Sequence, residues 1–259
     1  MRMLLFASMC LSILGAVSFP YSVARADEDS THRVEIPVKA LLTPAVGFEE
    51  KNNIEIVLYG ALPNGCYSLA EYTVEKETSD TIRIRQYAVH ETTGMCAEET
   101  TLPIQTQMVI PFVQEISVGR LPVGEYKFLF TQLNTGEQVR TMSVAKNVTP
   151  TVDSLPYAAV SNVQSPDVIN GLDHVVATVT GVLNSTCSKL NDNVRVLREN
   201  DVYVLLPTIR VEKHVLCAQV LIPFEKKVDL GPAKQPGIYL IHTRSMNGKA
   251  VNKVINVMK

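Results

Sequence analysis

The feature that most constrains the fold of this chain is an internal duplication. When the 259 residues are set against themselves, five positions recur at a constant offset of 121 residues. The recurring pairs are Gly60 and Gly181, Cys66 and Cys187, Leu69 and Leu190, Asp80 and Asp201, and Cys96 and Cys217. A period above 100 residues is typical of a duplicated domain, because solenoid repeats are only about 20–50 residues long. The sequence therefore predicts two copies of one domain.

The copies differ most just after the second cysteine of the first copy. Residues 107–112 match residues 219–224 at an offset of 112, so the first copy holds nine extra residues, roughly 98–106. Surface segments can vary without disturbing a core, and they often carry binding function. We interpret this insertion as a candidate binding loop, with the residues Glu98, Glu99, Thr100, Thr101, Leu102 and Pro103. The alternative, an insertion that is merely tolerated, stays open.

Apolar residues alternate with polar ones within each copy, as in residues 54–58 and 81–85. A period of two predicts strands rather than helices. Turn residues interrupt the alternation about every 10–15 residues, which gives about seven strands per copy. Seven short strands in about 110 residues are typical of a sandwich of two antiparallel sheets. Pro111 and Pro223 lie inside apolar runs, so we expect edge strands, bulges or bends at these positions.

The first 26 residues have the pattern of a signal peptide. Arg2 precedes an apolar run at residues 3–17, and Ala24-Arg25-Ala26 has the spacing of a cleavage site. An uncleaved anchor is the alternative, but the run is shorter than the roughly 20 residues that span a bilayer. We therefore expect an exported protein, periplasmic or at the cell surface, with no stable membrane insertion.

Four cysteines remain after this leader, two in each copy. Each pair encloses 29 residues, and an exported chain with this arrangement is expected to form disulfides. Of the three possible pairings, the duplication favours Cys66 with Cys96 and Cys187 with Cys217, because each copy then closes its own loop. Zinc is the alternative, but the five histidines do not recur between the copies, so we expect no metal.

The charge balance bears on the kind of partner. Residues 27–259 hold 22 basic and 26 acidic residues, which does not favour nucleic acid. Residues 27–148 have a net charge of −7 and residues 149–259 of +3, an asymmetry that can orient a protein against a partner or can simply be solvated.

We assign a signal peptide to 1–26, domain 1 to 27–148, a proline-containing linker to 149–157 and domain 2 to 158–259.

Two short motifs carry a resemblance to a known family. Gly124-Glu125-Tyr126 and Gly237-Ile238-Tyr239 resemble the start of strand F in immunoglobulin-like domains, where the tyrosine forms a tyrosine corner. The wider pattern of glycine, two cysteines, Pro-Phe and Gly-x-Tyr looks like that of tandem immunoglobulin-like modules in exported bacterial proteins, to which no activity is attached. The resemblance implies two tandem antiparallel immunoglobulin-like β-sandwich domains, each with one internal disulfide.

Catalytic motifs are missing from the sequence. It holds no G-x-S-x-G, no G-x-x-x-x-G-K-S/T and no H-E-x-x-H, so we assign no catalytic residues, cofactor or metal and expect a protein that is not an enzyme. The leading hypothesis is an exported binding or structural protein of the cell envelope with a protein partner. The alternatives are an assembly chaperone resembling pilus chaperones and a secreted protease inhibitor that presents a loop.

Overall fold

The computed structural model describes residues 32–46, 48–91, 96, 108–146, 155–171 and 174–259. These residues form strands and connecting turns, including a 3₁₀ turn at Met246–Gly248. The predicted all-β fold is confirmed. The predicted signal peptide and residues 149–154 of the linker lie outside the described residues, as does the candidate binding loop from Glu98 to Pro103.

The first sandwich is built from nine strands. They are β1 (His32–Ile36), β2 (Val38–Leu42), β3 (Phe48–Glu49), β4 (Ile54–Leu62), β5 (Tyr67–Lys76), β6 (Thr81–His90), β7 (Ile110–Gly119), β8 (Gly124–Gln132) and β9 (Gly136–Ala145). The nine strands form one hydrogen-bonded sheet, in which a single pair, Val38 with Gln132, joins two layers: β2, β4 and β7 on one side, and β1, β3, β5, β6, β8 and β9 on the other. Alternate residues of the two layers meet in one core, for example Ile56 of β4 and Phe128 of β8, both fully buried.

The second sandwich is built from ten strands. They are β10 (Ala159–Gln164), β11 (Val168–Asn170), β12 (His174–Leu183), β13 (Ser188–Leu190), β14 (Arg195–Glu199), β15 (Val202–Leu206), β16 (Ile209–Val211), β17 (Ile222–Pro232), β18 (Gly237–Arg244) and β19 (Ala250–Met258). One sheet has the order β10-β12-β17, a second has the order β11-β19-β18-β15-β14, and β13 pairs with β16. A second core, which includes Val179 and Ile241, is formed by the first two sheets.

The duplication extends to the topology. In the first sandwich β2 pairs with β4, Pro44 follows, and β3 then pairs with β9 in parallel. In the second, β10 pairs with β12, Pro166 follows, and β11 pairs with β19 in parallel. A proline cannot donate a ladder hydrogen bond, so the chain leaves one partner strand there and pairs with another. With these short added strands the two sandwiches hold nine and ten described strands, more than the seven per copy that the turn spacing predicts.

Pro111 and Pro223, which predict an edge strand, a bulge or a bend, both lie on edge strands. Pro111 lies in β7, which pairs with β4 alone in the described part of the chain. Pro223 lies in β17, which likewise pairs with β12 alone. The missing N–H group of each proline therefore costs no ladder bond with a second neighbour.

A third apolar cluster joins the two sandwiches into one compact unit. All five residues of β15 are buried, because Tyr203 and Leu205 face the core of the second sandwich while Val202, Val204 and Leu206 face the first. The first sandwich contributes, among others, Leu42 of β2 and Val57 of β4. A strand buried on both faces has a continuous apolar sequence rather than an alternating one.

Candidate functional site

Both predicted disulfides are present. The Cα atoms of Cys66 and Cys96 are 5.6 Å apart, and those of Cys187 and Cys217 are 5.4 Å apart, within the usual range for a disulfide. Each sandwich therefore closes its own loop, as the duplication predicts. In the chain-entropy account a loop of about 30 residues contributes roughly 3–4 kcal/mol to stability.

The second disulfide holds the base of a surface segment that we call the Cys217 loop, residues 212–221. Three hydrogen bonds fix it: the Glu212 N–H donates to Cys187 O at 2.9 Å, the Thr186 N–H to Ala218 O at 3.1 Å, and the Ala218 N–H to the side-chain Oγ1 of Thr186 at 3.0 Å. An ion pair between Lys189 and Glu212 lies at the same end. The loop is thus tied to the sandwich at both Glu212 and Ala218.

Apolar side chains of the Cys217 loop face solvent. Leu216 is completely exposed at 102% and Leu221 is 72% exposed, with Val215 and Val220 about half exposed. His214 adopts a left-handed backbone conformation (φ 64°), which turns the chain just before Val215 and Leu216. Single exposed apolar residues are common, but four on one tethered ten-residue loop are typical of an interaction site.

This loop occupies the position in the second copy that the candidate binding loop occupies in the first. Cys217 is the counterpart of Cys96, and residues 98–103 follow Cys96 directly. The sequence predicts binding at the longer of the two loops and does not single out the shorter one. The signal it could have used is the pair Val215-Leu216, apolar residues beside a cysteine in a segment without strand alternation.

The interface between the sandwiches adds polar contacts to its apolar cluster. The Arg140 guanidinium donates to both Asp201 carboxylate oxygens, at 2.9 and 2.7 Å, and also to Thr43 O at 3.1 Å. The Ala45 N–H donates to Glu199 Oε2 at 2.6 Å, and Asn252 Nδ2 donates to Glu115 Oε1 at 2.9 Å. Burial raises the pKa of Glu199, and the hydrogen bond from Ala45 opposes this.

Histidine 242 lies in β18 at the same interface and is buried. Its Nδ1 is 2.8 Å from Asn252 Oδ1, and its ring makes an edge contact with Phe48 of the first sandwich, at 6.4 Å between centroids. Burial, with a smaller contribution from the positive charge of Arg244, lowers the pKa of His242 to about 3. The imidazole is therefore neutral at ordinary pH and contributes to packing rather than to charge.

A groove lies where the edges of the two sandwiches meet. Its volume is about 440 Å³. The first sandwich contributes Tyr59, Pro111 and Val113 to its lining, and the second contributes Val168 and Lys253. Val113 and Val168 are about half exposed, so part of this apolar surface faces water.

Across the described ranges, no group of three or more His, Cys, Asp and Glu side chains is placed to hold a metal ion. In the same part of the chain, no helix has the length and apolar character that crossing a bilayer requires.

The fold and the disulfides define the class: a tandem β-sandwich protein in which each sandwich carries one disulfide. The model of the ORF11 beta-sandwich domain matches the sequence twice, at residues 56–144 and 177–257. The chain therefore belongs to the ORF11 beta-sandwich domain family. The two matches run from β4 to β9 and from β12 to β19, so they cover the same strands of the two copies. No curated protein and no solved structure matches the chain.

Proposed function

We propose that this protein is a non-enzymatic binding protein of the cell envelope, exported from the cytoplasm, that holds a protein partner through the Cys217 loop. The observation that carries the proposal is the full exposure of Leu216 on a loop tied down by the Cys187–Cys217 disulfide. Disulfides are typical of oxidising compartments, which supports export. The signal-peptide pattern of residues 1–26 supports it independently.

A tethered apolar loop suits binding for an energetic reason. A flexible loop loses conformational freedom when it binds, and fixing it beforehand reduces that cost. The disulfide and the hydrogen bonds at Glu212 and Ala218 fix the base of the Cys217 loop in this way. Burial of Leu216 and Leu221 in a partner would then contribute about 1.5–3 kcal/mol each.

Site-specific photocrosslinking in the native cells tests the proposal. A photoreactive amino acid is placed at position 216 and, as the matched control, at Val139 of β9, which is 55% exposed. We expect an adduct of one defined mass from position 216 and none from position 139. Adducts of the same mass and yield from both positions, or none from position 216, would contradict the proposal.

Protease inhibition is a second candidate, favoured by the same geometry. A loop held at its base by a disulfide can occupy a protease active site while resisting release after cleavage. Titration against a panel of secreted proteases tests it directly. Stoichiometric inhibition that Leu216→Lys alters would support this candidate, and rapid cleavage within the Cys217 loop without inhibition would remove it.

A further inference from the structure

The two copies protect the same edge strand differently. Strands β7 and β17 are equivalent, and each pairs on one side alone among the residues that the structure describes. Strand β17 carries four charged residues, Glu225, Lys226, Lys227 and Asp229. Charges of this kind keep an exposed edge from pairing with another chain. Strand β7 carries only Glu115, whose carboxylate already accepts a hydrogen bond from Asn252 of the second sandwich.

Successive side chains of β7 point to opposite faces of the sheet, and the groove lies beside one of these faces. Phe112 and Ile116 belong to the core of the first sandwich, and Phe112 also borders the groove, whereas Val113 lines the groove and Glu115 contacts the second sandwich. A strand added along β7 would continue the same sheet. Every second side chain of that strand would then face the groove, opposite Val168.

We propose that β7 accepts an extended segment of a protein partner as an additional strand, with alternate apolar side chains of that segment in the groove. Main-chain hydrogen bonds to the outer edge of β7 would supply affinity, and the groove would select the side chains. The site is separate from the Cys217 loop, so the inference goes beyond the proposed function.

Charge identifies the chemistry of the segment. Residues 27–148, which include β7, have a net charge of −7, and at the groove Asp167, which is 82% exposed, forms an ion pair with Lys253. A second copy of the chain would bring two such acidic sandwiches together, which is unfavourable. A neutral or basic segment with apolar residues at alternate positions is complementary to this surface.

A synthetic peptide tests the inference on the full chain. The probe is Lys-Val-Thr-Val-Thr-Val-Thr-Val-Lys, with two controls: the same peptide with Glu at both ends, and one methylated on alternate backbone nitrogens. We expect the probe to slow hydrogen exchange of β7 amides and the Glu-ended control to bind more weakly. The methylated control should not bind, because it lacks the N–H groups that the ladder requires.

Two matched variants locate the site. Val113→Lys places a charge at the groove, and Val139→Lys places one on an equally exposed valine of β9. We expect Val113→Lys to weaken probe binding about tenfold or more, since a lysine on an edge strand opposes pairing, and Val139→Lys to leave it unchanged. Circular dichroism of each variant confirms that it folds.

Several outcomes would overturn the inference. These are no probe binding at millimolar concentration, equal binding of the methylated peptide, or equal binding by Val113→Lys. A dimer that Val113→Lys dissociates and Val139→Lys does not would assign β7 to a second copy instead. Leu216→Ser should leave probe binding unchanged, because the two sites are separate. If the probe does not bind β7 but position 216 still crosslinks to a partner, this inference is removed and the proposed function stands.

Discussion

Phe112 lies directly across the β4–β7 ladder from Gly60, and its ring occupies the space where a side chain of that glycine would stand. A Cβ atom on Gly60 would be 2.4 Å from the Cζ atom of Phe112. Gly181 and Phe224 face each other in the same way across β12 and β17. The recurring glycine and the recurring Pro-Phe pair are therefore two parts of one structural unit, in which an aromatic ring covers a glycine on an edge ladder.

Substituting the two glycines should destabilise the protein unequally. At Gly181 an added Cβ would also stand 2.2 Å from the backbone oxygen of Ala159, whereas at Gly60 its nearest neighbours are ring atoms of Phe112. Overpacking costs about 1–3 kcal/mol, and we expect Gly181→Ala at the upper end because a backbone atom cannot rotate away. Urea unfolding measures both values. Adding Phe112→Leu should recover part of the loss in Gly60→Ala, and a larger cost for Gly60→Ala than for Gly181→Ala would contradict this explanation.

The ion pair of Arg140 with Asp201 should couple the two sandwiches. It is bidentate, and the side chains are only 22% and 31% exposed, so it should exceed a typical surface pair. A double-mutant cycle with Arg140→Gln and Asp201→Asn should give a coupling energy of about 1 kcal/mol. A coupling energy of zero would show that this ion pair does not couple the sandwiches.

The tyrosine corners should contribute to the stability of both copies. Tyr126 Oη donates to Pro122 O at 2.9 Å, and Tyr239 Oη donates to Gln235 O at 2.8 Å. The sequence resemblance implied these corners, and each closes onto the residue four positions earlier. Tyr126→Phe and Tyr239→Phe should each lower the free energy of unfolding by about 1 kcal/mol, with native circular dichroism retained. Tyr239 Oη also accepts from the Gln235 N–H at 3.2 Å, so a smaller loss at Tyr239 than at Tyr126 would count against this account.

His242 should make the protein less stable in acid. Its pKa is about 3 in the folded chain and ordinary in the unfolded chain, so protons bind preferentially to the unfolded state. The contribution of neutral His242 to the free energy of unfolding is fully present above about pH 6.5. It is lost as the pH falls towards 3, by up to about 1.4 kcal/mol per pH unit. The free energy of unfolding, measured against pH for the wild-type protein and for His242→Gln, separates the effect of His242 from that of the carboxylates. Parallel curves for the two proteins would show that His242 does not titrate in this way.

Much of the fold follows from local patterns in the sequence. The duplication predicts both disulfides, and Pro111 and Pro223 predict the edge strands, since a proline excludes a ladder bond wherever it lies. The packing of one sandwich on the other was not predicted. The continuous apolar run in β15, Val202–Leu206, indicates a strand that is buried on both faces. Such a run alone does not reveal which surface covers the second face of the strand.

Recurring residues can also acquire different contacts, which a sequence comparison cannot reveal. The backbone oxygens of Asp80 and Asp201 have the same role, accepting from Lys127 N and Leu240 N, respectively. Their side chains do not, because Asp80 binds the hydroxyl of Thr78 in its own turn while Asp201 reaches Arg140 in the other sandwich. The interface thus depends on a side chain whose counterpart serves only a local turn.

The most direct test of the central claim is the affinity of the crosslinked partner for variants of the Cys217 loop. The dissociation constant is measured for the wild-type protein, for Leu216→Ser and for the control Val139→Ser. We predict that Leu216→Ser raises it about tenfold or more, as loss of a central apolar contact does, while Val139→Ser leaves it unchanged. An unchanged dissociation constant for Leu216→Ser would contradict the assignment of binding to this loop.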